Sequence, residues 1–91
     1  MATVVVTLNV MPKDVETSLS NLENSVKEAV KEFDVEVDRV IKEPIAFGLH
    51  VLKFLFLWDE NKGGTDDLEE KVRTLEDVAS AEVSDVRRAI G

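Results

Sequence analysis

The residues able to do chemistry are few and scattered. The chain has one histidine, no cysteine and no tyrosine. That removes thiolate ligands, a thiol nucleophile and any disulfide framework. His50 sits inside an apolar run with no carboxylate at a pairing distance in sequence, so it reads as a sheet residue with a satisfied ring before it reads as an acid, base or ligand. Asp66, Asp67, Glu69 and Glu70 crowd together, but the spacing of a calcium loop is missing and a solvated helix start accounts for them. Gly63-Gly64 precedes a helix without the Lys-Ser/Thr pair of a phosphate-binding loop, and the four acids that follow would repel phosphate. Phe54 and Phe56 share one face of a strand and could in principle stack on bases. The first strand offers no second aromatic, so core packing is the expectation. Two features suit interaction instead. Phe47, in Ile45-Ala46-Phe47-Gly48, places a large aromatic at a turn, either as an anchor for a partner or folded back over the core. Arg87-Arg88 is an adjacent basic pair in an acidic chain.

These residues must be positioned by the elements around them. Val4, Val6, Leu8 and Val10 alternate with Thr3, Val5, Thr7 and Asn9, which predicts a strand ended by Met11-Pro12-Lys13-Asp14. Leu19, Leu22, Val26, Ala29, Val30 and Phe33 form a helical stripe, with Thr17 or Ser18 as cap and an end near Phe33. Asp34–Asp38 alternates again, and the adjacent Val40 and Ile41 then break the phase, as a bulge or an edge strand would. Pro44 closes that strand. Leu49 to Trp58 is nearly all apolar and predicts the central strand, with His50, Leu52, Phe54, Phe56 and Trp58 on one face. Thr65 caps a short second helix over about Asp66–Leu75, and a poorly alternating last strand runs from Val78 to Val86, leaving Arg87–Gly91 as a tail. The order β-α-β-β-α-β predicts a ferredoxin-like α+β sandwich, a four-stranded antiparallel sheet with two helices on one face.

Composition narrows the function. The 91 residues suit a single domain over 1–91. Nineteen acids against eleven Lys and Arg give a charge of −8, which argues against binding a phosphate backbone or an anionic membrane. No run reaches the roughly 18 apolar residues of a membrane span, and the N-terminus lacks a basic segment and a cleavage site. The expectation is a cytoplasmic protein, monomeric, without cofactor or metal and without direct nucleic-acid binding.

Pro44-Ile45-Ala46-Phe47-Gly48-Leu49, the apolar strand, Gly63-Gly64-Thr65 opening an acidic helix, and Val83-Ser84-Asp85-Val86-Arg87-Arg88 together resemble the guanine-nucleotide exchange domain family of elongation factor 1. Both its archaeal elongation factor 1-beta form and the C-terminal domain of the eukaryotic factor are similar, over essentially the whole chain. The resemblance implies a non-enzymatic exchange factor whose partner is the GTPase elongation factor 1-alpha, with its nucleotide and magnesium site perturbed on binding. It implies that Phe47 contacts the GTPase and that Pro44, Ile45 and Gly48 shape the loop. The eukaryotic form carries a Lys near its last residue. Here the end reads Ala89-Ile90-Gly91, leaving Arg87 or Arg88 to supply the positive charge. The eukaryotic N-terminal docking region has no counterpart here, so assembly through it is not expected. The same fold also serves small-molecule-sensing regulatory domains and RNA-binding modules, which are the rival expectations.

Overall fold

A computed structural model describes residues 3–88. Strands β1 (Thr3–Pro12), β2 (Val37–Pro44), β3 (His50–Asp59) and β4 (Val78–Arg88) form one sheet in the order β2-β3-β1-β4, with every neighbouring pair antiparallel. Helices α1 (Leu19–Lys31) and α2 (Asp66–Arg73) complete the expected ferredoxin-like α+β fold.

The period-two pattern decides which face is covered. Val4, Val6, Leu8 and Val10 of β1 lie opposite Trp58, Phe56, Phe54 and Leu52 of β3, and all are buried. Leu22, Val26, Ala29 and Val30 of α1 and Leu68 and Val72 of α2 join them in one core. Each fully buried large side chain contributes about 1.5–3 kcal/mol. Phe54 and Phe56 are 0% and 1% exposed. They are core residues and present no surface on which a base could stack.

The boundaries shift in places. β1 continues through Met11 to a buried Pro12, which pairs with Val78 at the sheet's end. Ser18 is the α1 cap and accepts from the Asn21 amide, but the helix stops at Lys31, and Phe33 packs against the core from the following turn. The alternation at Asp34–Asp38 does not make a strand over its whole length. Residues 34–36 form the loop, with Val35 buried, and the edge strand β2 begins at Val37 with a register shift before Arg39. α2 is shorter than expected. Thr65 makes no backbone cap, and its hydroxyl donates to Glu69 instead. Glu69 pairs with Arg73, whose Nε donates to the Ala81 carbonyl at 2.9 Å, tying α2 to β4. β4 extends past Val86, so Arg87 and Arg88 are strand residues and not part of a tail. Ala89, Ile90 and Gly91 lie outside the described residues.

Candidate functional site

The turn joining β2 to β3 holds Phe47. Pro44 ends β2 opposite His50. The Ile45 amide then donates to the Leu49 carbonyl at 2.8 Å, and the Leu49 amide donates to Ala46 at 3.3 Å. This closes the turn and puts two successive residues in the left-handed region, Phe47 at φ 62° and Gly48 at φ 77°. Gly48 adopts that conformation freely. For a bulky aromatic it is strained. Phe47 is nonetheless 93% exposed, so it does not fold back over the core. Ile45 is also exposed, and Val15, exposed in the β1–α1 loop, lies beside Gly48. One end of the sheet therefore presents a small apolar tip with strained backbone at its apex.

Arg87 and Arg88 stand at the other end. Arg88 pairs with Val4 and Arg87 with Val5, and β1 places them level with Trp58 and Leu57 near the far end of β3. The steps from His50 to Trp58 span roughly 26 Å at about 3.3 Å each. The turn residues Pro44, Ile45, Phe47 and Gly48 are thus brought together, while the arginines are held apart from them by the length of the sheet. The arginines also differ from each other. Arg87 lies 2.7 Å from Asp85, whereas Arg88 makes no ion pair among the described residues.

Near Arg88 lies a feature that sequence reasoning missed. Val4, Val6, Trp58 and Val86 floor a groove of about 200 Å³, rimmed by Glu60 and Gly63-Gly64-Thr65. Val86 is 54% exposed although its strand partner Val6 is fully buried. The irregular alternation of β4 concealed this, since only pairing with β1 reveals which face Val86 occupies.

The remaining candidates do not assemble. His50 is half-buried at the start of β3. Among the described residues no group of three or more His, Cys, Asp or Glu could hold a metal ion. Gly63 is part of a turn, its carbonyl accepting from Trp58 Nε1 at 3.0 Å. No helix among the described residues is long and apolar enough to cross a membrane.

Order of elements, strand order and layers define a ferredoxin-like α+β protein. A solved structure of the ACT domain from GTP pyrophosphokinase of Chlorobium tepidum shares this fold, with a TM-score of 0.61 at 14% identity over 91% of this chain and 89% of that one. The family is given by sequence. Residues 5–89 match the EF-1 guanine nucleotide exchange domain. Elongation factor 1-beta of Methanobrevibacter smithii is 39% identical over 88 residues, covering 97% of this chain and 98% of that protein. Elongation factor 1-beta of Methanococcus vannielii is 41% identical over 83 residues, covering 91% and 93%. The chain belongs to the EF-1 guanine nucleotide exchange domain family.

Proposed function

We propose that this protein promotes exchange of GDP for GTP on elongation factor 1-alpha, as a cytoplasmic monomer that acts by binding and without bond chemistry of its own. The observation that carries this reading is Phe47: a strained, 93% exposed aromatic at the tip of a turn has no role in the fold and suits a partner pocket. Pro44, Ile45 and Gly48 hold it there.

The mechanism follows from linkage. A partner that favours the nucleotide-free GTPase must weaken nucleotide binding by the same factor that nucleotide weakens the partner's. The two ends of the sheet serve different parts of that task. Phe47 anchors at one point on the GTPase. Roughly 26 Å away along the sheet, Arg88 offers a guanidinium that can compete for the oxygens around the magnesium ion or attract the carboxylate that holds it. The sheet between them is a rigid spacer, so anchoring at one end brings the charge to the other.

The test is release of a fluorescent GDP analogue from elongation factor 1-alpha, in magnesium and excess unlabelled nucleotide. Acceleration by substoichiometric protein supports the reading. No acceleration, with the GTPase active and this protein folded, rules it out.

A further inference from the structure

The β1–α1 loop and the Phe47 turn meet at one end of the sheet. Val15 Cγ1 lies 3.8 Å from the position a Cβ on Gly48 would take, an ordinary contact distance. Val15 is itself 58% exposed, and its neighbours in the loop are polar: Lys13, Asp14, Glu16 and Thr17. The loop is ordered by its own hydrogen bonds. The Lys13 amide donates to the Asp77 carbonyl at 3.0 Å, which ties the loop to the start of β4. The Thr17 amide donates to the Asp14 carbonyl at 3.1 Å, and the Glu16 amide donates to Asp14 Oδ1 at 3.1 Å. Val15 is therefore the second residue of a turn that Asp14 closes twice, and the turn keeps it at the surface.

The fold itself has no use for an aliphatic side chain there. Val15 belongs neither to the core nor to the partly buried side chains packed against it. A single exposed valine would be ordinary. Here, among the described residues, six large apolar side chains are exposed, and three of them, Val15, Ile45 and Phe47, gather at this end. They come from two separate loops, each closed by its own backbone bonds. The second loop widens the Phe47 tip into a surface, and a surface already ordered loses little entropy when a partner covers it. Val15 is continuous with the Phe47 turn, so the partner that takes Phe47 also covers Val15, and the inference rests on the exchange reading.

We propose that Val15 is a second anchor of the same docking surface: the GTPase pocket that takes the Phe47 ring has an aliphatic rim, and that rim closes on Val15. The contact contributes affinity alone. Arg88 acts at the other end of the sheet, so Val15 sets how much protein is needed and not how fast a saturated complex releases nucleotide.

GDP release from elongation factor 1-alpha, titrated with each variant, tests this. Val15→Thr keeps the shape of the side chain but adds a hydroxyl that an apolar rim would strip of water. It should raise the concentration for half-maximal exchange about fivefold, and Val15→Asp should raise it further. Val15→Ile, which stays apolar, should match the parent or act at lower concentration. Maximal rates should equal that of the parent, and melting temperatures should stay within a few degrees of it. A Val15→Thr protein that exchanges like the parent would overturn the contact, since a valine that only braced the turn would act through shape, which threonine keeps. A marked loss of melting temperature in Val15→Thr would overturn it too, by assigning Val15 to the fold. Titration calorimetry with the nucleotide-free GTPase separates the two readings. A parent that binds without accelerating exchange, beside a weaker Val15→Thr, would keep the contact and remove the exchange reading. A parent that accelerates exchange, beside Val15 variants that bind equally well, would do the reverse. A parent that neither binds nor accelerates exchange would remove both.

Discussion

Arg87 and Arg88, adjacent in the chain, leave opposite faces of the sheet: Arg88 lies across from the buried Val4 on the helix-bearing face, and Arg87 across from Val5 on the open face. Only Arg88 shares the helix-bearing face with Val4, and among the described residues only Arg87 has an acidic partner, Asp85 at 2.7 Å. The two charges are therefore not interchangeable. Arg88→Ala should slow GDP release about tenfold or more, the scale of losing one charge-assisted contact of about 1.5–3 kcal/mol. Arg87→Ala should change it less than about threefold, since an exposed pair contributes roughly 0–1 kcal/mol. Exchange rates of the two variants at one protein concentration check this. Equal effects would contradict the separation of the faces.

Phe47 carries a second prediction, in which activity and stability move in opposite directions. A central aromatic anchor typically costs about 2 kcal/mol or more on truncation, so Phe47→Gly should weaken exchange about thirtyfold at limiting protein. The same change removes a Cβ from a left-handed residue, a relief of about 1–2 kcal/mol, offset by about 0.5–1 kcal/mol of added chain entropy. The variant should therefore melt at the same temperature as the parent or slightly above it. Thermal unfolding followed by circular dichroism, beside the exchange assay, tests both halves. A lower melting temperature would mean that Phe47 supports the fold.

Much of this architecture was legible because hydrophobic periodicity reports burial directly. β3 is apolar on both faces, and only the structure shows Leu52, Phe54, Phe56 and Trp58 to be the buried set. Val4, Val6, Leu8 and Val10, however, fall at even spacing among Thr and Asn and are all buried, so β1 could be read with its faces. β4 could not. Val78, Ala81 and Val86 sit at odd spacings yet pair with Pro12, Val10 and Val6 on one face, because register shifts at Met11/Pro12 and Thr7/Leu8 each insert a residue. A bulge reverses the phase of everything beyond it, and no single-strand pattern shows that. Val37 and Val40 conceal the start of β2 in the same way, across the shift before Arg39. The turn at Phe47 was legible as a turn from its Pro and Gly. Its positive φ was not, since that is set by closure of the Ile45–Leu49 hydrogen bonds and not by residue type.

Gly63 and Gly64, adjacent and alike in sequence, should respond oppositely to alanine. Gly63 has φ 87° and ψ −157°, a region almost closed to other residues, and its carbonyl holds the Trp58 indole. Gly63→Ala should cost about 1–3 kcal/mol. Gly64 has no positive φ, and a Cβ there would meet only Asp66 Oδ2 at 3.9 Å. Gly64→Ala should be neutral or stabilise by about 0.4–1 kcal/mol through the unfolded chain. Urea unfolding of both variants measures the difference, and a loss at Gly64 equal to that at Gly63 would show that the turn conformation is not the cause.

Asn9 gives the last prediction, on the open face of the sheet. It lies in the central strand β1, between Lys53 of β3 and Glu82 of β4, and its Oδ1 is buried without a hydrogen-bond partner. A buried acceptor without a donor costs about 1–3 kcal/mol in lost hydration, and asparagine is a poor strand residue. Asn9→Val removes the orphaned oxygen and adds a β-branched side chain between its neighbours. It should stabilise by about 1 kcal/mol, which raises the melting temperature of a domain this size by about 4–8 °C. Asn9→Asp should do the reverse, since it places a carboxylate in the same dry position beside Glu82. Asn9 points away from the helix-bearing face that carries Arg88 and lies within the sheet, outside the Phe47 turn, so exchange by Asn9→Val should match the parent. A fall in exchange with a raised melting temperature would instead place the open face in the contact with the GTPase.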